Sequence, residues 1–392
     1  MKKLIIILLL LTSSISSQSI TFEDILNKIV TNNPSLAALT AENDAKIIAM
    51  KSENNLPDPE LDFDHKWGNE GVKWGFGVSQ SFEWPSVYSI RKNATKQASK
   101  AIQYLNNANH LEKILEIKQL LIDIINIRKR LLLMHQISTQ MDTLSVKYEL
   151  GRERGEVSIL DINKLNIEKI SISQKIKSLE TQLNALNFSL TRENGGNDVS
   201  YIISNLNNYP SEEILSEEKY EQQLKDFDPQ LIQYSLLNKS QELNAKALKA
   251  SKFPGFSIGY KFENELGNYF NGFSVGVSIP IFSKKHKVEA INATQKAISL
   301  QSQASEIDKI TQIRAQRLNV ISLYQELEQY RPIIEDQNNI GLLKKALYGG
   351  EINLITYIQE VNFFIEAQLN YLDIEYKYYQ LLTTLNKYNL IL

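Results

Sequence analysis

Residues that could do chemistry are few in this sequence, and their spacing builds no catalytic or metal site. The chain has no cysteine and only four histidines, which are His65, His110, His135 and His286. These histidines lack the spacing of a zinc site, so we expect structural or solvent-facing roles for them. The chain also lacks a phosphate-binding glycine loop, an HExxH motif and a nucleophile elbow. We therefore expect no enzyme, no cofactor and no bound metal.

Charged side chains gather instead beside glycines, at two breaks in otherwise helical patterns. The first break is Gly151-Arg-Glu-Arg-Gly155, and the second is Gly349-Gly350, which Glu351 follows. The sequence GEVSIL from Gly155 matches GEINLI from Gly350, and the two lie 195 residues apart. The charges of the first break are most simply those of a solvated helix tip. A helix tip is also where a partner protein would dock.

Two long segments alternate between apolar and small or polar residues, which is the pattern of a β-strand. They span residues 72–84 and 273–281, and shorter alternating runs at 61–67 and 256–262 precede them. Each half of the chain is therefore expected to contain one hairpin with an aromatic and aliphatic face. The residues expected to face lipid are Trp74, Phe76, Val78, Phe82, Val275, Val277 and Ile279.

Alternation alone would also fit a soluble antiparallel sheet. Strand lengths near ~10 residues, small residues on the second face and candidate girdle aromatics favour a membrane barrel. Those aromatics are Trp67, Trp74 and Trp84. The smallest membrane barrels need about eight strands, and lipid does not tolerate open edges. Four strands per chain must therefore be completed by other copies, and a trimer supplies twelve.

The remainder of the sequence is dominated by helical patterns that also occur twice. Helices are expected at 22–55 and 86–150, with a return helix whose seam from Ile172 to Leu190 follows a coiled-coil repeat. The second copy repeats the long helix at 285–348 and the return helix at 352–388. At ~1.5 Å per residue, the first long helix would reach roughly 90–100 Å. The chain is therefore a tandem duplication of one helix and hairpin unit.

The first residues have the order of a secretory signal peptide. Lys2 and Lys3 precede an apolar run at 4–11, and small residues follow at 12–17. No later segment approaches ~18 consecutive apolar residues, so we expect an exported protein without a membrane-spanning helix. The formal net charge of −2 gives no basic footprint for nucleic acid.

These patterns divide the chain into four parts. We expect a signal peptide at 1–17, a first repeat at 18–192, a polar and turn-rich linker at 193–226, and a second repeat at 227–392. The two repeats have the same order of helix, hairpin, long helix, glycine break and return helix.

Over essentially the whole mature chain, this organisation resembles the TolC-type outer-membrane efflux proteins. Asn33-Pro34, the two glycine breaks and Ser278-Ile-Pro-Ile-Phe282 carry the resemblance. Residues 80–85 together with Arg91 are similar to the heavy-metal (CzcC-like) branch. The resemblance implies a mostly α fold with a membrane β part. A long coiled-coil α-barrel would lie in the periplasm of a Gram-negative bacterium, and four strands per chain would complete a 12-stranded trimeric barrel in the outer membrane.

The implied function is that of a passive conduit in a tripartite efflux system, carrying metal cations or small toxic molecules out of the cell. The implied partners are two further copies of the chain, a periplasmic adaptor, an inner-membrane pump of the RND type and outer-membrane lipid. The alternative is a periplasmic coiled-coil adaptor or structural interaction protein. An adaptor has no use for two hairpins with fully apolar outer faces, whereas lipid requires them.

The sequence departs from the resemblance at two places. Many relatives carry an acylated cysteine at the mature N-terminus, which is missing here. Some narrow the periplasmic entrance with aspartates after the second break, where this chain has Thr356 and Gln359, while the first copy has Asp161 and Lys164. Our entrance candidates are Arg152, Arg154, Asp161, Glu351, Thr356 and Gln359, and the expected docking tips contain Gly151, Gly155, Gly349 and Gly350.

Overall fold

The computed structural model describes residues 21–69, 71–280, 286–334 and 339–390. The expected signal peptide and the Ile281-Phe282 end of the second strand motif lie outside these residues. The chain divides into two compact units. One contains the residues up to Asn33 together with Leu120–Pro210, and the other contains Pro34–Gln119 together with the residues from Ser211 onward. No helix in the described ranges combines the length and the apolar character needed to cross a bilayer.

The described helices confirm a mostly α chain, and their order is similar in the two expected copies. The first copy contains α1 (Phe22–Asn32), α2 (Pro34–Ser52), α3 (Pro85–Glu153) and α4 (Ile159–Glu193). The second contains α5 (Glu217–Phe227), α6 (Pro229–Ala250), α7 (Lys287–Ile334), α8 (Asn339–Tyr348) and α9 (Leu354–Leu385). A short 3-10 turn, Lys387–Leu390, follows α9.

Helix α5 lies inside the segment expected to be a polar linker. Its bounds are those of α1 shifted by 195 residues, and it begins ten residues before 227, where the second repeat was expected to begin. Ser216 caps α5 as Thr21 caps α1, through a side-chain oxygen that accepts a backbone N–H bond. Only Tyr220 and Leu224 of α5 are buried, which leaves a weak apolar pattern in a charged segment.

The first expected helix, 22–55, is two helices in the structure. Pro34 begins α2, and Asn33 between the two helices has extended backbone angles. Proline has no N–H to continue the hydrogen-bond ladder of α1 but fits the first turn of a new helix. The same junction recurs where Asp228 precedes Pro229.

All four expected strands are present and form one antiparallel sheet in the order β1-β2-β3-β4. They are β1 (Glu60–Gly68), β2 (Gly71–Phe82), β3 (Gly255–Glu265) and β4 (Asn268–Ser278). The central β2–β3 pair joins the two repeats. β1 and β4 therefore form the two edges, and neither pairs with a further strand in the described part of the chain.

In both repeats the residue before the proline-opened helix is hydrogen-bonded to a residue at, or just after, the end of the return helix. In the first repeat the Asn33 side-chain amide donates to the Glu193 carboxylate at 2.7 Å and to the Glu193 backbone carbonyl at 3.1 Å. In the second, the Tyr388 hydroxyl and the Lys309 ammonium donate to the Asp228 carboxylate at 2.7 and 2.6 Å. Glu193 and Tyr388 occupy equivalent positions 195 residues apart. We call the second arrangement the Asp228 latch.

Each unit has its own apolar core. In the unit that contains the sheet, Tyr220 and Leu224 of α5 pack with Val320 of α7 and Leu382 of α9. In the other unit, the predicted seam of α4 is buried at its two ends, Ile172 and Leu190, and half-buried between them. A seam that one chain covers only in part is available to other chains.

Candidate functional site

The first candidate surface is the apolar face of the sheet. The register places Leu61, Val78, Tyr260 and Phe273 side by side across the four strands. This face is open, because Phe273 is 87% exposed and Leu61 is 80% exposed. Of the seven residues expected to face lipid, six are exposed, and Phe82 is half-buried beside Phe256 with their ring centroids 5.4 Å apart.

The opposite face of the sheet carries glycine, serine and charged side chains. Asp64, Gly75 and Glu263 are aligned across β1, β2 and β3. On the same face, the Lys73 ammonium lies 2.6 Å from the Glu265 carboxylate. A sheet with one apolar and one charged face can separate lipid from water.

The second candidate surface is the turn between α3 and α4, residues 151–158, which we call the first tip. Gly151 lies within α3, which ends at Glu153, so the break begins later than expected. The Glu156 N–H donates to the Gly151 carbonyl at 2.9 Å, and Gly155 has a φ of +75°. This is a Schellman-type helix end, in which glycine adopts the left-handed conformation at little cost. Ser158 then caps α4 by accepting the Leu160 N–H at 3.1 Å.

The turn between α8 and α9, residues 348–353, is the second tip and repeats this geometry. The Glu351 N–H donates to the Ala346 carbonyl at 2.9 Å, and Gly350 has a φ of +76°. Asn353 caps α9 by accepting the Thr356 N–H at 2.9 Å. The repeated sequence therefore encodes two equivalent turns, one in each compact unit.

The entrance candidates differ in their local contacts. Arg152 pairs with Glu149 on its own helix, with its Nε atom 2.8 Å from the carboxylate oxygen. Arg154 is exposed, and its side chain has no partner among the described residues. Asp161 is half-buried in the first turn of α4, where the helix dipole favours its negative charge. In the second repeat Glu351 and Gln359 are exposed, and Thr356 is half-buried.

Apolar residues at the tips were not among the site residues expected from the sequence. Leu160 and Ile355 occupy equivalent positions just after the two caps, and both side chains are exposed. The match between GEVSIL and GEINLI contained the signal, because its last residues are apolar in both copies. An apolar patch beside charged residues is typical of a protein–protein contact.

Metal binding finds no support in the side-chain arrangement. Within the described ranges, no group of three or more histidine, cysteine, aspartate or glutamate residues is placed to hold a metal ion.

Comparison with solved structures identifies the fold. The chain is similar to a membrane protein from Pseudomonas aeruginosa, with a TM-score of 0.73, 13% identity, and coverage of 94% of this chain and 92% of that chain. It is also similar to the outer membrane protein VceC from Vibrio cholerae, with a TM-score of 0.70, 9% identity and 94% and 95% coverage. The outer-membrane channel OprN gives a TM-score of 0.69 at 10% identity, with 94% and 89% coverage.

The fold is therefore that of the outer-membrane channel proteins. The expected TolC-type fold is confirmed over nearly the whole chain. No protein-family model and no curated protein matches the sequence. The likeness does not single out the heavy-metal branch, which stays a prediction.

Proposed function

We propose that the chain is the outer-membrane channel of a tripartite efflux system and works as a homotrimer. It is a passive conduit that carries metal cations or small toxic molecules from a periplasmic pump complex to the outside. The observation that carries this proposal is a four-stranded sheet with two open edges and one exposed apolar face. In water such a sheet would expose both unpaired backbone groups and a large apolar patch.

The strand order supports closure by further copies of the chain. Adjacent strands are antiparallel, so β1 and β4 run in opposite directions. β4 of one copy can therefore pair in antiparallel fashion with β1 of the next copy. Three copies give twelve strands and leave no edge open in the lipid, as a membrane barrel requires. The apolar face then contacts lipid, and the charged face lines water.

The helices also expose surfaces suited to contact with other copies. On α4, Ile167, Ile170 and Phe188 are exposed, and on α7, Ile307 and Leu318 are exposed. A helix in water normally buries such residues against a neighbour. Packing between neighbouring chains in a trimer would cover them, and the helices would then form the wall of a periplasmic α-barrel.

The trimer can be tested directly with purified protein. We expect a species of three chains on an SDS gel without heating, a single chain after boiling, and stepwise currents in planar bilayers. Extraction from cells should require detergent. A monomer that stays soluble without detergent and gives no current would contradict the proposal and favour a periplasmic adaptor.

The partners follow from the tips. Two tips per chain give six in a trimer, and their exposed backbone, charges and apolar residues suit contact with the helical hairpins of a periplasmic adaptor. The charges of the first tip would set partner choice more than affinity. The adaptor would connect the channel to an inner-membrane pump of the RND type. The likeness of residues 80–85 and Arg91 to the heavy-metal branch supports metal cations as one candidate cargo.

We expect Gly350→Leu to abolish export while the trimer still forms. A Cβ atom added at Gly350 meets no heavy atom within 4 Å, so the left-handed backbone is the main obstacle. Leucine in the left-handed conformation costs roughly 1–2 kcal/mol, which distorts the tip without unfolding the chain. The measurements are growth of the complemented deletion strain on metals, dyes and bile acids, crosslinking to the adaptor, and the gel mobility of the trimer.

Gly155→Leu is the matched comparison at the first tip, because Gly155 has nearly the same φ and a similarly open surrounding. We expect Gly155→Leu to reduce export and adaptor crosslinking less than Gly350→Leu does, because the first tip is longer. Full export and full crosslinking by the Gly350 variant would exclude the tips as the docking surface and place the contact along the sides of the helices.

Entrance residues can be tested by conductance. If polar contacts at the tips hold the channel closed, Arg154→Ala and Asp161→Ala should raise the current through single trimers in planar bilayers. Arg152 is a less sensitive position, because its charge is already paired with Glu149. Unchanged currents in both variants would remove Arg154 and Asp161 from the gate.

A further inference from the structure

An open groove lies where the helices α3, α6 and α7 approach the sheet. It has a volume of about 430 Å³, and its lining includes Arg91 of α3, Asn244, Leu248 and Ser251 of α6, and Lys287 of α7. All of these residues belong to one compact unit. Arg91, which together with residues 80–85 is similar to the heavy-metal branch, belongs neither to the lipid-facing surface nor to the tips.

The described lining of the groove contains cationic side chains but no acidic one, although Arg91 is paired with the neighbouring Glu83 carboxylate. Two of its lining residues are cationic, several are neutral hydrogen-bonding or apolar residues, and none is acidic. The Lys287 side chain has no partner among the described residues. Because α7 begins at Lys287, the positive dipole end of a 48-residue helix lies beside it. Glu289 is the nearby acid on α7, but it pairs with His286 at 2.8 Å and does not line the groove.

A hydrogen bond holds the Arg91 side chain in place at the groove. Its Nη2 atom donates to the Glu83 carboxylate at 2.6 Å, and the Glu83 N–H donates to the Tyr88 hydroxyl at 2.9 Å. Glu83 accepts through one of its oxygens, and the Arg91 guanidinium has four further N–H donors. A guanidinium held by one carboxylate can still bind a second anion in a two-point contact.

The alternation of apolar and polar residues along β2 indicates on which side of the sheet the groove lies. Glu83 continues the polar series of Ser79 and Ser81 at a spacing of two residues. Trp84 continues the apolar series and contacts Phe253 with the ring centroids 5.7 Å apart. Arg91, which bonds Glu83, therefore lies toward the charged face, the face that would line water in an assembled channel.

We propose that this groove binds the anionic group of amphipathic organic molecules as they pass through the channel. Arg91, Lys287 and the start of α7 would contact the anionic head, and Leu248 with Ile291 would contact the apolar body. The proposal rests on the proposed function, because it needs the charged face to line a water-filled passage. It also narrows the range of expected cargo, since a groove whose described lining has two cationic and no acidic residues disfavours metal cations.

The test uses trimers in lipid nanodiscs and isothermal titration with three probes that share one ring system. These are 1-naphthalenesulfonate, neutral 1-naphthalenemethanol and protonated 1-naphthylmethylamine, with empty nanodiscs as the blank. We expect the sulfonate to bind best and Lys287→Gln to weaken its binding by about tenfold, as the loss of one charged hydrogen bond implies. Lys249→Gln is the control, because Lys249 is exposed on α6 and does not line the groove.

Arg91→Gln should weaken sulfonate binding at least as much, but it also breaks the pair with Glu83, so Lys287→Gln is the cleaner variant. Equal affinity of the Lys287 and Lys249 variants, absent sulfonate binding, or a preference for the amine would each overturn the proposal. The same trimers are measured in planar bilayers. Trimers that conduct but do not bind the sulfonate would leave the channel function standing and remove only the groove.

Discussion

Phe76→Arg is expected to prevent the chain from assembling in the outer membrane. Phe76 pairs with Phe63 and Phe262 about halfway along the sheet, on its apolar face. Arginine at the middle of a bilayer costs ~2–4 kcal/mol per site, and a trimer would carry three of them. Val277→Arg should impair assembly less, because Val277 lies near the helical end of β4 opposite Phe256, and the cost falls toward the interface.

Ser79→Arg is the matched control in the same strand. Ser79 lies opposite Gly259 on the charged face, so its substitution would meet water rather than lipid. The amount of heat-sensitive trimer in outer-membrane fractions is the measurement. If Phe76→Arg and Ser79→Arg assemble equally well, the apolar face does not contact lipid, and the barrel assignment fails.

The second large effect is expected at the Asp228 latch. Asp228 is only 2% exposed, and its carboxylate accepts hydrogen bonds from the Lys309 ammonium, the Tyr388 hydroxyl and the Leu231 N–H. Asp228→Ala leaves the Lys309 charge without its partner and uncaps α6. Breaking a buried ion pair costs about 3–5 kcal/mol, and the partial exposure of Lys309 places the expected loss near the lower value.

The measurement is the free energy of unfolding, obtained from a urea titration in detergent that is monitored by circular dichroism. Arg314→Ala is the control, because its pairs with Glu217 and Glu221 lie at the surface. Exposed pairs contribute about 0–1 kcal/mol, so the control should be close to wild type. Similar losses for the two variants would show that the Asp228 latch is no stronger than a surface pair.

The Asp228 latch should also make stability depend on acid pH. Burial alone would raise the pKa of Asp228, but the bonds from Lys309, Tyr388 and the Leu231 N–H hold that pKa below its ordinary value. A lowered pKa stabilises the fold above the unfolded value of about 3.9 and loses this effect as the pH falls through the folded pKa. Burial, together with the Asp228 charge, raises the pKa of Tyr388, so its hydroxyl stays a donor. As the pH is lowered from 5 to 2, the free energy of unfolding of the Asp228→Asn variant should therefore decrease less than that of the wild type.

The duplication explains how much of the fold the sequence could predict. Strands have a strict two-residue period, and glycine followed by glutamate marked both helix ends, so most of these elements were found near their observed bounds. The exception is β4, which begins at Asn268, five residues before the expected 273. Helix α5 was missed, because two buried residues in a charged segment leave almost no periodic signal. Comparing it with α1 at the 195-residue offset would have revealed it.

Contacts between residues far apart in the chain could not be predicted from the sequence patterns. Asn33 and Glu193 are 160 residues apart, as are Asp228 and Tyr388, and no local rule pairs them. The groove likewise depends on three helices that meet only in the folded unit. The entrance residues named from the sequence remain predictions, because the structure describes each tip within its own unit.

The turns of the two hairpins also determine how much of the protein would be accessible at the cell surface. Only two residues separate β1 from β2, and only Leu266 and Gly267 separate β3 from β4. Leu266 and Gly267 both have positive φ, as in the tightest hairpin turns. A trimer inserted as proposed would therefore expose six very short turns, which offer little surface for antibodies or bacteriophages to bind or for proteases to cleave. Trypsin applied to intact cells should leave the protein uncut, and neither of these two hairpin turns is long enough to fold inward as a lid. Opening and closing of the conduit would then have to be performed by its helical end.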